Sequence, residues 1–215
     1  MTPKQKHRWL VGATAEYLKY LDGCFVECGV KQGTSSRIMA EILQREGYLF
    51  DTWTGFPHYS EYDLPSPKRK SRLDRRVSSK KSVYKDCKRH LKKFGVFGLC
   101  TMIKGDICKT VPDFIKDKTL TVDMMHIDTD LHDPAQVSID NFAPFISNTG
   151  VILVHDYGDS KWPGIKKVVE SFANEQGWFL VDHNDTIGVK VAALTRIHPM
   201  EYQRYICDKF ERERS

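Results

Sequence analysis

Short apolar runs alternate with segments of helical period along most of this chain. Residues 7–21 place Leu10, Ala13, Tyr17, Leu18 and Leu21 at helical spacing. The run Cys24-Phe-Val-Glu-Cys28 reads as a buried strand, and Gly29 to Gly33 as a tight turn. Ile38, Met39, Ile42 and Leu43 form the apolar face of the next helix, with Ser35 or Ser36 as its cap and Gly47 as its end. A second strand follows at 48–51. From Thr52 to about Ser79 there is no periodicity, and Pro57, Pro65 and Pro67 mark a long loop. The pattern then predicts a basic helix at 81–94, stopped by Gly95, and a strand near 99–103. A helix near 111–116, a strand at 122–127, a helix at 134–145 and a strand at 151–154 follow. Pro163 sits in a first helical turn. Two closing strands, 178–182 and 186–193, are joined by a hairpin-like His-Asn-Asp link.

Strands that alternate with helices predict an α/β fold whose mostly parallel sheet is covered on both faces. Seven strands can be counted. The length of 215 residues suits a single domain, 1–215, with a basic lid or insert at about 52–94.

Composition adds two points. No apolar run approaches the roughly 18 residues of a membrane span, and the start lacks the apolar stretch of a signal peptide, so no membrane partner and a cytoplasmic location are expected. Cys24, Cys28 and Cys100 lie in or beside apolar runs and read as small buried hydrophobes rather than disulfide partners. Charge adds a third. The formal net charge is +5, but residues 68–93 carry thirteen Lys or Arg against Asp74 and Asp86, a local +11 that leaves the remainder at −6. Such a segment attracts anionic partners, whether a phosphorylated small molecule or a nucleic acid. It also fits a solvated helix face beside a loop.

Three constellations carry candidate chemistry. Glu27-Cys-Gly29-Val-Lys-Gln-Gly33 follows the first strand, and Asp51 ends the second. The glycines let the backbone approach a ligand, and an acid at the end of the second strand can accept hydrogen bonds from both hydroxyls of a ribose. Glu27 stands where dinucleotide-binding turns carry glycine. It would repel a pyrophosphate but suits a cationic, phosphate-free cofactor. A glycine pair of this kind also serves as a packing device. Lys104-Gly105-Asp106 follows the third strand, where Asp106 can hold an adenine amino group, cap the next helix, or both. The third constellation is His126-Ile-Asp128-Thr-Asp130-Leu-His132-Asp133, with His155-Asp156-Tyr157 after the fifth strand. Carboxylates gathered at strand ends can converge on one hard cation. Asp133, directly before Pro134, reads as a helix cap.

The ordered motifs F-V-E-C-G-V-x-x-G, Y-L-F-D-T-W-x-G-F-P, K-G-D-I, H-I-D-T-D-L-H and G-V-I-L-V-H-D-Y resemble the macrocin O-methyltransferase (TylF-like) family over residues 20–190. The resemblance implies a Rossmann-like class I methyltransferase fold with a central seven-stranded sheet. It also implies methyl transfer from S-adenosylmethionine to a hydroxyl of a sugar or of a glycosylated or phosphorylated small molecule, with help from Mg²⁺ or Mn²⁺. On that basis Glu27, Gly29, Gly33, Thr34 and Ser35 correspond to the methionine-binding turn, Asp51 to the ribose acid, and Gly105 and Asp106 to the adenine contact. Asp128 corresponds to a metal ligand beside the cofactor and Asp130 to a candidate general base. The family ends its fifth strand with two acids, whereas this chain has His155-Asp156. The implied metal set is therefore Asp128, His155 and Asp156, and imidazole suits manganese, iron or zinc better than magnesium. Without a metal, His155 becomes the better base if its pKa stays near the unperturbed value of about 6.5. An RNA methyltransferase using the 68–93 segment and a non-enzymatic cofactor-binding relative are the alternatives. The N-terminal helix and charged tail are candidate elements of a homodimer.

Overall fold

The computed structural model describes residues 1–63 and 83–214. The larger part of the basic segment and the centre of the expected 52–94 lid lie outside them.

The chain enters through α1 (Pro3–Leu18), whose Thr2 and Gln5 form a reciprocal cap, and continues into β1 (Cys24–Cys28), α2 (Thr34–Leu43) and β2 (Gly47–Asp51). After the undescribed stretch come α3 (Tyr84–Lys93), β3 (Cys100–Lys104), α4 (Ile107–Ile115), β4 (Val122–Ile127) and α5 (His132–Phe142). The rest is β5 (Ile146–His155), α6 (Pro163–Gln176), β6 (Phe179–Asp182), α7 (His183–Ile187), β7 (Val191–Thr195) and α8 (Met200–Arg212).

The seven strands form one sheet in the order β3-β2-β1-β4-β5-β7-β6, with β7 antiparallel to both neighbours and the other pairs parallel. From β1 the chain builds outward to β2 and β3, then returns to β4 on the other side. The crossovers leaving β1 and β4 thus diverge, and a crevice opens beyond their carboxyl ends.

The sheet buries both faces. Phe25, Leu49, Met124 and Leu153 point toward α1, α2, α3 and α8. Val26, Phe50, Met125 and Val154 point toward α4, α5 and α6. Side chains two apart share a face, and Glu27 is in register with His126. Polar residues at these positions therefore lie under α1, among residues that are otherwise apolar. At the other end of the sheet Asp123 is buried and accepts from Gly23 N–H (2.6 Å), Ser147 Oγ (2.6 Å) and Arg45 Nη1 (3.2 Å). Arg45 also donates to the Leu18 and Lys19 carbonyls, tying the end of α1 to the sheet.

Four local expectations change. Gly33, at φ +75°, is the cap residue of α2 with no side-chain bond, while Ser36 turns inward and donates to Glu27. Gly47 opens β2 instead of ending α2; a Cβ there would sit 2.0 Å from the Phe25 ring. The link between the last two strands is the short helix α7, started by Asp182 accepting from Asn184 N–H (2.8 Å) and stopped by Gly188 at φ +67°. Asp133 does not cap α5: it pairs with His132 Nδ1 (2.8 Å), and the His132 N–H is taken by Asp63 Oδ1 (3.0 Å) from a remote turn. As the sequence suggested, Cys28 and Cys100 are buried, Cys24 is partly so, and all six cysteines are free. Burial pushes the Cys24 and Cys28 thiols up to about 12.

Candidate active site

A cleft of about 950 Å³ occupies the crevice at the strand ends. Its floor is formed where β1, β2 and β4 end side by side. Gly29 N–H donates to Phe50 O (2.9 Å) and Asp128 N–H to Cys28 O (2.8 Å). At φ +90°, a Cβ on Gly29 would lie 2.2 Å from the Asp128 carbonyl oxygen, so only glycine fits.

On one side stand Asp51 and Asp106. Asp51 Oδ2 accepts from the backbone N–H groups of Val30 (2.8 Å) and Lys31 (2.7 Å), and Oδ1 from Trp53 N–H (2.6 Å). The acid therefore shapes the glycine turn: Oδ2 is taken up by two N–H groups, and Oδ1 keeps acceptor capacity beyond the Trp53 bond. Asp106 takes the cap role that the sequence allowed and also lines the cleft. Its Oδ1 caps α4 through Cys108 N–H (3.1 Å), and its Oδ2 lies 3.7 Å from His58 Nδ1 while the residue lines the cleft.

On the other side the third constellation converges. His155 Nδ1 is 3.0 Å from Asp128 Oδ1 and 3.2 Å from Asp156 Oδ1. Their ligand-type atoms all lie within 4.8 Å of one another. Asp130 and Asp156 adopt φ of +66° and +63°, a left-handed region that side-chain-bearing residues other than Asn and Asp seldom occupy. Phe56 and Trp162 add an aromatic wall, edge to face at 6.0 Å, and Lys31 and Lys161 supply cations at the rim.

The electrostatics revise one expectation. Burial alone would lower the His155 pKa, but Asp128 and Asp156 override it and push the imidazole up to about 10. Packing around Asp128 would raise its carboxyl; the His155 contact instead holds it well below the usual carboxylate range. At neutral pH His155 is thus a cation between two acids, and cannot take a proton as a free imidazole would. Its Nδ1 is buried but lacks a directed hydrogen bond, since the nearby oxygens lie off the bonding axis. Two carboxylates facing this ring nitrogen make a donor set that fits a divalent cation, whose binding would displace the imidazole proton.

The cleft thus gathers Gly29, Asp51, Asp106, Asp128, Asp130, His155 and Asp156, while Glu27, Gly33, Thr34, Ser35 and Gly105 are outside its lining. Glu27 is fully buried, its carboxylate held by Ser36 and by His126 Nδ1 (2.9 Å). Sequence reading missed Asp63, Trp162 and His7. His7 belongs to α1, yet its ring stands 4.1 Å from that of His155, and its Nε2 is 3.0 Å from His126 Nε2. The available signal was His126 itself, an imidazole inside a strand whose every residue is buried.

Similar architecture occurs in solved structures. The O-methyltransferase NovP is 20% identical, with 90% of this chain and 80% of that one covered and a TM-score of 0.74. The calicheamicin methyltransferase CalS11 is 18% identical, with 91% and 80% covered and a TM-score of 0.73; its apo structure is described as a TDP-rhamnose 3′-O-methyltransferase. An O-methyltransferase from Bacillus cereus in complex with SAH is 15% identical, with 91% and 82% covered and a TM-score of 0.57. No curated protein matches the sequence. The model of the methyltransferase domain family matches residues 26–157, from within β1 to just beyond β5 and so across the whole strand-end cleft. A match over most of the chain, on the fold that builds this cleft, establishes that the chain belongs to the methyltransferase domain family.

Proposed function

We propose that this methyltransferase is an O-methyltransferase: it takes the methyl group of S-adenosylmethionine and passes it to a hydroxyl of a sugar-type acceptor bearing an anionic group. The observation that carries the reading is the pairing of two halves in one cleft, Asp51 and Asp106 facing Asp128, Asp130, His155 and Asp156 across Gly29. In the first half Asp51 serves the ribose and Asp106 the adenine. Glu27, Gly33, Thr34, Ser35 and Gly105 act from behind by fixing the turns that present the backbone.

The sulfonium donor is already activated, so the protein has to align the acceptor and take up its proton. Phe56 and Trp162 offer apolar faces to a sugar ring, and Lys31 and Lys161 suit a phosphate or carboxylate. Asp128, His155 and Asp156 would hold a divalent cation, which when bound lowers the pKa of an acceptor hydroxyl as a Lewis acid. His155 is protonated between the two acids without that cation and would be engaged by it when bound, so Asp130 is the better proton acceptor. Protein neighbours whose descriptions name sugar O-methylation and SAH support the class.

The cationic face of α3 favours a second reading, an RNA acceptor. Lys85, Arg89, Lys92 and Lys93 are exposed there with exposed Phe94 alongside. Methyl-labelled S-adenosylmethionine incubated with nucleotide sugars, neutral glycosides and single-stranded RNA separates the readings. Label on nucleotide sugars, dependent on Mn²⁺ or Mg²⁺ and abolished in Asp130→Asn, is the expected result. Label on RNA alone would replace the sugar assignment.

A further inference from the structure

The helix that opens the chain reaches the site through one side chain. His7 projects from α1 between two other imidazoles, with ring centroids 5.1 Å from His126 and 4.1 Å from His155. Behind it runs a continuous polar chain. His7 Nε2 meets His126 Nε2 at 3.0 Å, His126 Nδ1 meets Glu27 Oε1 at 2.9 Å, and Ser36 donates to Glu27 Oε2. Glu27, Ser36 and His126 are each fully buried. A carboxylate only accepts, so His126 Nδ1 is the donor in that bond. One hydrogen lies between the two Nε2 atoms, so His7 and His126 form a donor–acceptor pair. Lys6 Nζ donates to the Ile187 carbonyl at 2.8 Å and anchors this turn of α1 to α7.

His155 needs such a support. Rotation about the bond to an imidazole ring is broad and roughly two-fold, and half a turn would put a carbon where Nδ1 stands. On the acid side the Asp128 and Asp156 oxygens are close but off axis, so no directed hydrogen bond there sets the ring angle. The opposite face is covered by His7. Burying a carboxylate with two imidazoles under a helix is costly where apolar packing would serve. None of Glu27, His126 and His7 lines the cleft.

We propose that His7, fixed by His126 and Glu27, is a positioning residue that sets the imidazole of His155 against Asp128 and Asp156. The inference rests on the reading of those three residues as the cation-binding group.

The test uses the whole protein and two substitutions. His7→Gln keeps a hydrogen-bonding partner for His126 but takes the ring away from His155, and His7→Phe restores a ring without that partner. Thermal melting first establishes that both are folded. Ring signals of His155 in histidine-labelled, metal-free protein report its orientation, Co²⁺ titration followed by visible absorbance reports cation affinity, and calorimetry reports S-adenosylmethionine affinity. In His7→Gln the His155 signals are expected to shift and broaden and Co²⁺ affinity to fall about tenfold or more, as for other supports of metal-binding histidines, with cofactor affinity unchanged. His7→Phe should recover both in part, since the ring is present but no longer held by His126. Unaltered His155 signals and Co²⁺ affinity in His7→Gln, or a His7→Phe protein as impaired as His7→Gln, would overturn the proposal. Wild-type protein that binds no Co²⁺ would remove the cation from the proposed function, and the His155 ring signals alone would then decide the role of His7.

Discussion

At the scale of residues, the site depends on a few positions where neighbours leave no freedom. Gly29 combines φ +90° with a carbonyl oxygen 2.2 Å from where a Cβ would stand. Gly29→Ala must push β1 and β4 apart at their ends. It should cost roughly 2–5 kcal/mol in urea unfolding, the sum of a left-handed backbone penalty and overpacking, and should weaken cofactor binding with it. The glycine, Asp51, Asp106, Asp128 and His155 were all legible in the sequence as lining one rim, because each ends a strand or follows one within two residues, and strand ends in a parallel sheet lie together. The base assignment was not. A pKa near 6.5 for His155 presumed solvent around the ring, whereas two carboxylates at 3.0 and 3.2 Å keep it charged.

At the scale of elements, long-range contacts replace the local ones that a sequence suggests. Asp133 looked like the cap of α5, but Asp63 supplies that acceptor and also takes Ser60 N–H (3.0 Å) and Ser60 Oγ (3.1 Å). Asp63→Ala should therefore destabilise the protein by about 1–2 kcal/mol, and Asp63→Asn, which keeps one oxygen, by less; chemical denaturation at constant pH decides. No spacing rule links positions so far apart. The same holds for Arg45 and Asp123, whose sequence neighbourhoods give no hint of pairing. Asp123→Ala leaves the half-buried guanidinium without its acid and the Gly23 N–H and Ser147 hydroxyl without their acceptor, and should cost roughly 1–3 kcal/mol, more than loss of the exposed Arg89–Asp86 pair. The short helix α7 was invisible for a related reason: its five residues are too few to show a period, and its ends are set by Asp182 and Gly188.

At the scale of the molecule, the strand order with its antiparallel β7 places every strand-end acid on one side of the sheet, and the two faces carry separate apolar clusters. The alternation of strands and helices predicted that layering. It did not predict how the terminal helices lock on. Thr14, Tyr202, His183 and Thr186 form a buried chain between α1, α8 and α7, with contacts of 3.0 Å, 3.2 Å and 3.2 Å. Burial pulls the His183 pKa down to about 4, against 6.5 when unfolded. As pH falls, the unfolded chain takes up this proton first, so the contribution is intact above 6.5, declines toward about 4 and is then level. The loss amounts to roughly 3 kcal/mol at most. Unfolding free energies of wild type and His183→Gln across this range should converge as the pH drops, and a constant gap would refute the assignment.

The central claim, that the cleft at the strand ends binds S-adenosylmethionine against Asp51, is tested most directly by calorimetric titration of the cofactor into wild type and Asp51→Ala. Saturable one-site binding by the wild type, weakened at least about tenfold in a folded Asp51→Ala by loss of charge-assisted hydrogen bonds, is the predicted result. No binding by the wild type, or equal binding by both proteins, would contradict it.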